Sequence, residues 1–367
     1  MRTVKWNPFL SGAAMLLGGV LLWAGAARAD FTTTNPAAIL IFPKVVYNAT
    51  AAGTVDTVIQ ITNTNLEAPA SVRCYLMNAG APTGGQPLLT RTCVETDFAF
   101  TLSPGQPIMW KLSSGSSGDP HAAPPLFMGG SIPPAPTNPM YGELKCVQVD
   151  AAEQPIDSND LKGEASIETV TTESIDLRTY NAVGLQAVPG AGNRDGNLVL
   201  GTEYAGCPNY LILDHFFDGA EEPIKGAIVT TELTLVPCTE NFLLQTWPTT
   251  TVQYLVFNEF EQRFSTSRST GCFTETLLSW IDRPTPGGQA TSIFSAAVEG
   301  TLTGQTLIRG SDPTGRGTHG LLAVAEEFHA GGDNGGVHSA AFGLAQRGPR
   351  AGTDTLTLAP VTVPEPE

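Results

Sequence analysis

A glycine-rich turn late in the chain carries the densest group of side chains that could bind a metal. Glu327, His329, Asp333 and His338 flank or lie within this turn, residues 331–336. Imidazole and carboxylate groups together suit zinc or a similar ion, and the two histidines would meet if the turn closes a hairpin. The alternative is a solvated hairpin tip, because glycine lets the turn close and leaves the acidic groups in water. These four residues are the candidate metal site, and we expect no cofactor.

Catalysis by a triad has little support in the sequence. Asp214 and His215 are adjacent, but neighbours on a strand point to opposite faces and cannot orient one another. The chain has no Gly-x-Ser-x-Gly elbow and no His-Glu-x-x-His pair. We therefore predict no catalytic residues and a protein that is not an enzyme.

Two oxygen-rich turns raise the question of calcium. One holds Asp150, Asp157, Asn159 and Asp160, and the other spans residues 193–197. The second turn alternates oxygen-bearing side chains and contains a glycine, without the complete pattern of a helix-flanked calcium loop. Asp, Asn and Gly also form turns without any ion, so both interpretations stay open.

Cysteine is used in a way that favours disulfides. The six residues are Cys74, Cys93, Cys146, Cys207, Cys238 and Cys272. An even number in an exported chain predicts disulfide bonds, and the lack of a Cys-x-x-Cys argues against a zinc ribbon or a thioredoxin-type site. Of the possible connectivities we expect the sequential one, 74 with 93, 146 with 207 and 238 with 272.

The first 29 residues have the order of a secretory signal peptide. Arg2 and Lys5 precede an apolar run over residues 9–23, and Ala27-Arg28-Ala29 forms a small-x-small cleavage site. The apolar run is short for a membrane span, and no later run is long enough for one. We expect cleavage after Ala29, a secreted or otherwise extracytoplasmic protein, and no membrane span after cleavage.

The mature chain is strongly acidic. Losing Arg2, Lys5 and Arg28 lowers the formal net charge from −16 to about −19, and such a surface repels nucleic acid and anionic membranes. Gly at 39 and Pro at 28 residues, with only 15% charged residues, are typical of short strands and many turns. We predict an all-β protein.

Alternating strands open the mature chain. Thr57, Ile59 and Ile61 share one face of a half-buried strand. The chain returns over residues 71–76, where Val72, Cys74 and Leu76 are expected to face inward and Arg73 and Tyr75 outward. This strand, connection and strand is the seed of a β-sandwich. The strand over residues 38–47 is interrupted by Pro43, which suits an edge or a strand that switches sheets.

The segment after this hairpin is rich in proline, glycine and serine. It runs from Pro104 to Pro139, with Ser-Ser-Gly-Ser-Ser-Gly at 113–118. Proline cannot donate the hydrogen bonds of a ladder, so we expect a long surface loop. Order resumes with the alternating strand at residues 141–149.

The early landmarks recur later in the chain. Residues 233–237 are similar to 39–43, residues 251–258 to 57–63, and residues 319–325 to 141–147, with the same separation from proline to the next Thr-Val strand. This predicts two tandem immunoglobulin-like β-sandwiches with a boundary at residues 219–223. The expected divisions are a signal peptide (1–29), domain 1 (30–225), domain 2 (226–360) and a disordered tail (361–367).

These landmarks resemble those of immunoglobulin-like sandwich repeats in uncharacterised exported bacterial proteins. The resemblance covers residues 35 to 340 and implies an extracytoplasmic tandem sandwich without catalytic residues to transfer. The tail Val-Pro-Glu-Pro-Glu at 363–367 also resembles the start of a PEP-CTERM sorting signal, but the apolar helix and basic end of that signal are missing.

We therefore expect an exported, non-enzymatic β-sandwich protein with a structural or cell-surface adhesive role. The second hypothesis is a secreted binding module for a carbohydrate or protein ligand, and the third is a metal-dependent hydrolase. A partner on the cell surface, or a protein or glycan ligand, fits the first two hypotheses.

Overall fold

The computed structural model describes residues 30–80, 93–117, 126–127, 131–192, 194–315, 317–332, 337–349 and 354–359. The predicted signal peptide, Asn193, Asp333, parts of the proline-rich segment and the C-terminal tail lie outside these residues. We refer to residues 30–192 as the N-terminal half and to residues 194–359 as the C-terminal half. No helix in the described residues is long and apolar enough to cross a membrane.

Strands make up most of both halves. Those of the N-terminal half are β1 (Phe31–Thr32), β2 (Ile39–Thr50), β3 (Gly53–Asn63), β4 (Ala70–Asn78), β5 (Val94–Leu102), β6 (Pro107–Lys111), β7 (Leu126–Phe127), β8 (Met140–Val149), β9 (Leu161–Thr171), β10 (Ile175–Asn181) and β11 (Val183–Leu185). Those of the C-terminal half are β12 (Asn197–Leu200), β13 (Pro208–Phe216), β14 (Ala220–Glu221), β15 (Ile228–Pro237), β16 (Glu240–Asn241), β17 (Thr250–Asn258), β18 (Arg263–Thr270), β19 (Thr274–Leu277), β20 (Thr303–Ser311), β21 (Leu321–Ala330), β22 (Val337–Gly343), β23 (Ala345–Pro349) and β24 (Asp354–Thr357). The described helices are 3₁₀ turns at Leu278–Trp280 and Gln289–Thr291 and one α-helical turn, α1 (Ala296–Glu299).

The N-terminal half has two layers. One layer, which we call the junction sheet, has the order β7-β5-β4-β8-β2-β11-β1, and the outer layer contains β10, β9, β3 and β6. β2 belongs to both layers, because residues 39–47 pair with β8 whereas residues 48–50 pair with β3. Its register shifts between Phe42 and Val45, where Pro43 lies. Pro43 therefore lies at an irregularity in a strand that pairs in both layers, which is the second of the two arrangements expected for it.

The C-terminal half also has two main layers and a small third sheet. The outer layer has the order β18-β17-β20-β13-β23, and the inner layer contains β14, β15, β21 and β22, with β19 also paired to β15. The small sheet has the order β12-β24-β16. The molecule is thus nearly all β, with several sheets in which neighbouring strands are mostly antiparallel, as the composition predicts.

Three apolar cores lie between these layers. The first fills the N-terminal half with Leu40, Phe42, Ile59, Ile61, Val72, Cys74, Leu76 and Trp110 among others. The third fills the C-terminal half with Leu233, Leu235, Val252, Tyr254, Phe294 and Ile308 among others. The second core lies between the halves, where Ile39, Ile41, Tyr75 and Val147 of the junction sheet meet Phe242, Phe273, Leu322 and Leu356. Each fully buried Leu, Ile or Phe contributes about 1.5–3 kcal/mol, so the junction is an apolar core in its own right.

This second core corrects one sequence expectation. The buried face of β3 is as predicted, since Thr57, Ile59 and Ile61 have no exposed surface. The face of β4 that we expected to point outward is also buried, with Tyr75 at 0% and Arg73 at 4% exposure. The expectation of an exposed face was wrong because the C-terminal half covers the junction sheet on its second side.

The disulfide pairing also differs from the sequential expectation. The bonds are Cys74–Cys146, Cys93–Cys272 and Cys207–Cys238. All six cysteines are paired, as expected, but each sequential partner was wrong. Cys74 lies directly opposite Cys146 on paired strands, with Cα atoms 4.0 Å apart, whereas Cys93 joins the N-terminal half to Cys272 of the C-terminal half.

The structure also bears on the proline-rich segment and on the expected domain boundary. Residues 107–111 of the proline-rich segment form β6, which pairs with β3 through Ile108 and Trp110, so this part is a strand rather than a loop. The expected boundary at residues 219–223 falls after β13. That strand pairs with β20 and β23, so a cut at this boundary would remove it from the sheet of the C-terminal half.

Candidate functional site at the junction of the two halves

A buried lysine of the N-terminal half lies among three glutamates of the C-terminal half. Lys44 Nζ lies 2.7 Å from Glu232 Oε2 and 2.7 Å from Glu275 Oε1, and it also donates to Glu326 Oε2. The Lys44 side chain is only 4% exposed. Lys44 stands at the register shift of β2, between Phe42 and Val45, and its ammonium lies in the junction.

The three carboxylates converge because of strand register. Glu232 on β15 lies directly opposite Glu326 on β21, and Glu275 on β19 lies opposite Thr234, two residues further along β15. Residues two apart on a strand share a face, as do directly opposed residues. One face of the inner sheet therefore presents three carboxylates, with one oxygen of each within 4.8 Å of the others.

Burial controls the charge of this first cluster. Burial raises the pKa of Glu275 to about 8. The Lys44 ammonium lowers this pKa, and the Glu232 carboxylate offsets part of that lowering. Burial alone lowers the pKa of Lys44. The three glutamates raise it by more than burial lowers it, so the pKa lies well above its ordinary value. A second cation assists, since Arg178 Nε lies 2.8 Å from Glu326 Oε1. At neutral pH Lys44 is therefore an ammonium, whereas the Glu275 carboxyl group is mostly neutral.

A second buried cluster lies on the same face of the junction sheet as Tyr75. Lys145 Nζ lies 2.5 Å from Glu143 Oε2 and 2.7 Å from Glu240 Oε2. Lys145 is 0% exposed, and both glutamates are 1% exposed. Glu240 belongs to β16 of the C-terminal half, so this cluster also joins the two halves.

The second cluster has one cation for two carboxyl groups. Burial and the nearby Glu240 carboxylate raise the pKa of Glu143 well above its ordinary value, against the effect of Lys145. Glu143 Oε1 and Glu240 Oε1 are buried without a hydrogen-bond partner among the described residues. The raised pKa of Glu143 favours its neutral carboxyl group, which can donate a hydrogen bond to Glu240. Burial likewise raises the pKa of nearby Glu95 to about 7.

The predicted metal residues lie on the far end of β21 and on β22. His329 lies directly opposite His338, so the two histidines meet across the hairpin as the spacing predicts. His329 Nε2 is bonded to Glu327 Oε1 at 2.6 Å, while Asp333 lies outside the described residues. The three-carboxylate group that could hold an ion in the described residues is instead Glu232, Glu275 and Glu326. Metal binding at the histidines stays a prediction.

The adjacent pair Asp214 and His215 does not form a catalytic pair. Asp214 accepts a hydrogen bond from Gln305 at 2.8 Å on the exposed side, whereas His215 is buried and bonds Thr306 Oγ1 at 2.8 Å. Burial lowers the pKa of His215 to about 4, so its ring is neutral at physiological pH. The two side chains point to opposite faces, as predicted from their spacing.

The aspartates of the first calcium candidate accept hydrogen bonds from the protein itself. Asp150 Oδ1 accepts from the backbone of Ala152 at 2.8 Å and of Gln154 at 3.0 Å. Asp157 Oδ2 accepts from the Gly190 backbone at 2.7 Å, and Asp160 Oδ2 accepts from Gln148 at 2.7 Å. The Asp150 bonds are the ordinary use of Asp in turns, whereas Asp157 and Asp160 accept from residues 33 and 12 positions away.

A cavity of about 430 Å³ opens where the first strand of the chain meets the end of β22. Its lining includes Phe31, Thr32, Asn181 and Gln346. Gln346 Oε1 is buried without a hydrogen-bond partner among the described residues. The cavity therefore offers an aromatic side chain, a hydroxyl and two amides to a small ligand.

No protein-family model matches this chain, and no curated protein is similar to it. The junction and its buried charged groups are therefore the features of this molecule that bear on its function. Sequence reasoning missed both lysine clusters, although each lysine carries a signal. Lys44 interrupts an otherwise apolar run over residues 39–46, and Lys145 lies two residues from Glu143 on the same face of β8. A charged residue in a buried strand needs such a partner.

Proposed function

We propose that this chain is an exported, non-enzymatic β-sandwich protein with a structural or cell-surface adhesive role. The observation that carries this proposal is the junction, where an apolar core, the Cys93–Cys272 disulfide and two lysine–glutamate clusters hold the halves together. The buried acid and base groups of these clusters contact one another across the junction. Such an arrangement makes a rigid two-part body suited to bear load.

The disulfides and the finer fold assignment belong to the same proposal. Three disulfides suit an extracytoplasmic compartment, because cytosolic thiols are kept reduced. We further propose two tandem immunoglobulin-like repeats. The equivalent positions Leu40 and Thr234 lie opposite Cys146 and Val324, which are equivalent to each other in the repeat, and this shared register supports the assignment.

Fractionation and binding assays test the proposal together. The full chain, expressed in a bacterial host with a periplasm, is expected outside the cytoplasm with its N-terminus at Asp30. The purified oxidised protein, fixed to beads, is expected to retain whole bacterial cells, whereas the same protein after reduction and heating is not. A cytoplasmic, uncleaved product, or equal retention by both preparations, would contradict the proposal.

The cavity at Gln346 favours a second candidate, a secreted module that binds carbohydrate. Its amide and hydroxyl groups suit a neutral polyhydroxyl ligand, and its volume falls in the range of small-ligand sites, about 300–1,000 Å³. A glycan array is expected to show binding by the unaltered protein that Gln346→Ala removes. The matched control is Gln262→Ala, whose side chain bonds Asn258 in a turn away from the cavity. Binding unchanged by Gln346→Ala would exclude this site.

A further inference from the structure

The cluster around Lys145 differs from an ordinary ion pair. It brings together a primary amine and two carboxyl groups, and none of the three side chains is more than 1% exposed. The amine lies at hydrogen-bond distance from both acids. No arginine contacts either glutamate in the described residues, so one cation faces two acids.

A dry site of this composition suits condensation. Burying an ammonium and a carboxylate is costly, whereas a neutral amide of the same atoms carries no charge. Near-attack contacts are about 3–3.5 Å between reacting atoms. Lys145 Nζ lies 2.7 Å from Glu240 Oε2, so it lies beside the carboxyl carbon, and the strands on both sides hold it there.

We propose that Lys145 and Glu240 are a modification site at which the folded chain forms an intramolecular amide crosslink. The bond joins β8 of the junction sheet to β16 of the C-terminal half. The bond needs no external reagent. It goes beyond the proposed function because its formation does not depend on what the protein binds.

The atoms of the step balance as a dehydration. Burial lowers the pKa of Lys145, but Glu143 and Glu240 raise it above its ordinary value, so the step starts from the ammonium. A proton passes from this ammonium to the Glu240 carboxylate along their hydrogen bond. The free amine then attacks Cδ of Glu240, the Nζ–Cδ bond forms, and a carboxyl oxygen leaves as water. Glu143 is the positioning acid: its raised pKa keeps it protonated, so it donates to the carbonyl oxygen of Glu240 and relays the proton from nitrogen to the leaving oxygen.

The Lys44 cluster provides a comparison inside the same molecule. Its lysine also contacts carboxylates, but Glu232 is 24% exposed and Arg178 adds a second cation beside Glu326. The partial exposure of Glu232 admits water to this cluster, and the Arg178 guanidinium occupies the second oxygen of Glu326. We therefore place the crosslink at Lys145 alone.

Mass spectrometry of the unaltered full chain tests the proposal without any variant. Folded protein, reduced and denatured just before measurement, is expected to be lighter than its sequence by one water molecule. A tryptic map is expected to show no cleavage after Lys145 and one branched peptide that contains Lys145 and Glu240. Chain kept in denaturant since synthesis is expected to have the full mass, because only folding brings the groups together.

Variants separate the roles of the three residues. Lys145→Arg and Glu240→Ala are expected to remove the mass loss, whereas Lys44→Arg is expected to keep it. Glu143→Ala is expected to slow formation after refolding by about 100-fold or more, the usual effect of a general acid. Full mass in the folded unaltered chain, or a water loss that maps to residues other than Lys145 and Glu240, would overturn the proposal.

Discussion

The Lys44 ammonium lies 2.7 Å from Glu275 Oε1, and this contact joins β2 of the N-terminal half to β19 of the C-terminal half. Glu275 is the member of its cluster whose charge depends most on pH near neutrality, because burial raises its pKa to about 8. This contact between the halves therefore depends on the Lys44 ammonium and on whether Glu275 is protonated.

Stability is expected to fall as the pH rises from about 5 to about 8. Glu275 has a folded pKa of about 8, above the ordinary Glu value of about 4.3, so the folded state holds its proton more tightly than the unfolded state. The resulting stabilisation is complete below the unfolded pKa and is lost as pH rises through the folded pKa, by at most about 1.4 kcal/mol per pH unit. Urea titrations across this range measure the slope, and Glu275→Gln is expected to flatten it. A slope unchanged in that variant would contradict the assignment.

Removing the Lys44 charge is expected to destabilise the protein strongly. Lys44→Ala leaves three buried carboxyl groups with less positive charge, and breaking a buried pair costs about 3–5 kcal/mol. Lys111→Ala is the matched control, since Lys111 is 47% exposed and lies 3.5 Å from Glu168, and exposed pairs contribute only about 0–1 kcal/mol. Equal shifts in urea midpoint for both variants would show that the cluster contributes little.

The same variant is expected to bind calcium. Without the ammonium, Glu232, Glu275 and Glu326 present oxygens within 4.8 Å of one another, and carboxylate oxygens are the ligands that calcium prefers. Millimolar calcium is expected to raise the melting temperature of Lys44→Ala and to leave the unaltered protein unchanged. Lys44→Ala combined with Glu275→Gln serves as the control, and an equal rise in that variant would indicate binding elsewhere.

Zinc is expected not to shift the melting temperature of the unaltered protein. His329 already bonds Glu327, and a hairpin explains its position opposite His338. A rise that grows with zinc concentration, and that disappears when both histidines become Ala, would establish the metal site instead.

Disulfide mapping of the oxidised protein is expected to recover 74–146, 93–272 and 207–238. Replacing Cys93 and Cys272 by Ala is expected to lower stability by about 2–5 kcal/mol, because this bond joins the two halves. Non-reduced peptide mapping gives the first result and urea titration the second. A peptide joining Cys74 to Cys93 would contradict the pairing.

A C-terminal fragment is expected to fold only if it includes β13. Residues 226–360 lack this strand, which pairs with both β20 and β23, and they also lack Cys207, the partner of Cys238. Residues 206–360 restore both. A cooperative urea transition is expected for the longer fragment and a broad one for the shorter. A cooperative transition in residues 226–360 would restore the sequence-based boundary.

Local pattern predicted the strands but not what covers them. The alternation of Thr57, Ile59 and Ile61 identified a buried face correctly, and Pro43 identified the switch of β2 between sheets. Alternation separates the two faces of a strand, but it does not show whether both are buried. Tyr75 was therefore placed on the outside although it stacks on Phe242 with ring centroids 4.3 Å apart.

The candidate site could not be predicted from local sequence, for a related reason. Lys44 and Glu326 are separated by 282 residues, and Lys145 and Glu240 by 95, so no short motif contains them. Only the folded order of the sheets brings them together. His329 and His338 were easier, since a hairpin places them opposite one another from sequence spacing alone.

The pairing of Cys93 with Cys272 has a consequence for biosynthesis. Cys74 and Cys93 are synthesised before either of their partners, and the partner of Cys93 lies 179 positions later in the chain. An oxidant that acts on the growing chain meets these two thiols first and joins them wrongly. We therefore expect thiol–disulfide exchange after synthesis is complete, and the yield of correctly bonded protein in a host is expected to follow the supply of a disulfide isomerase.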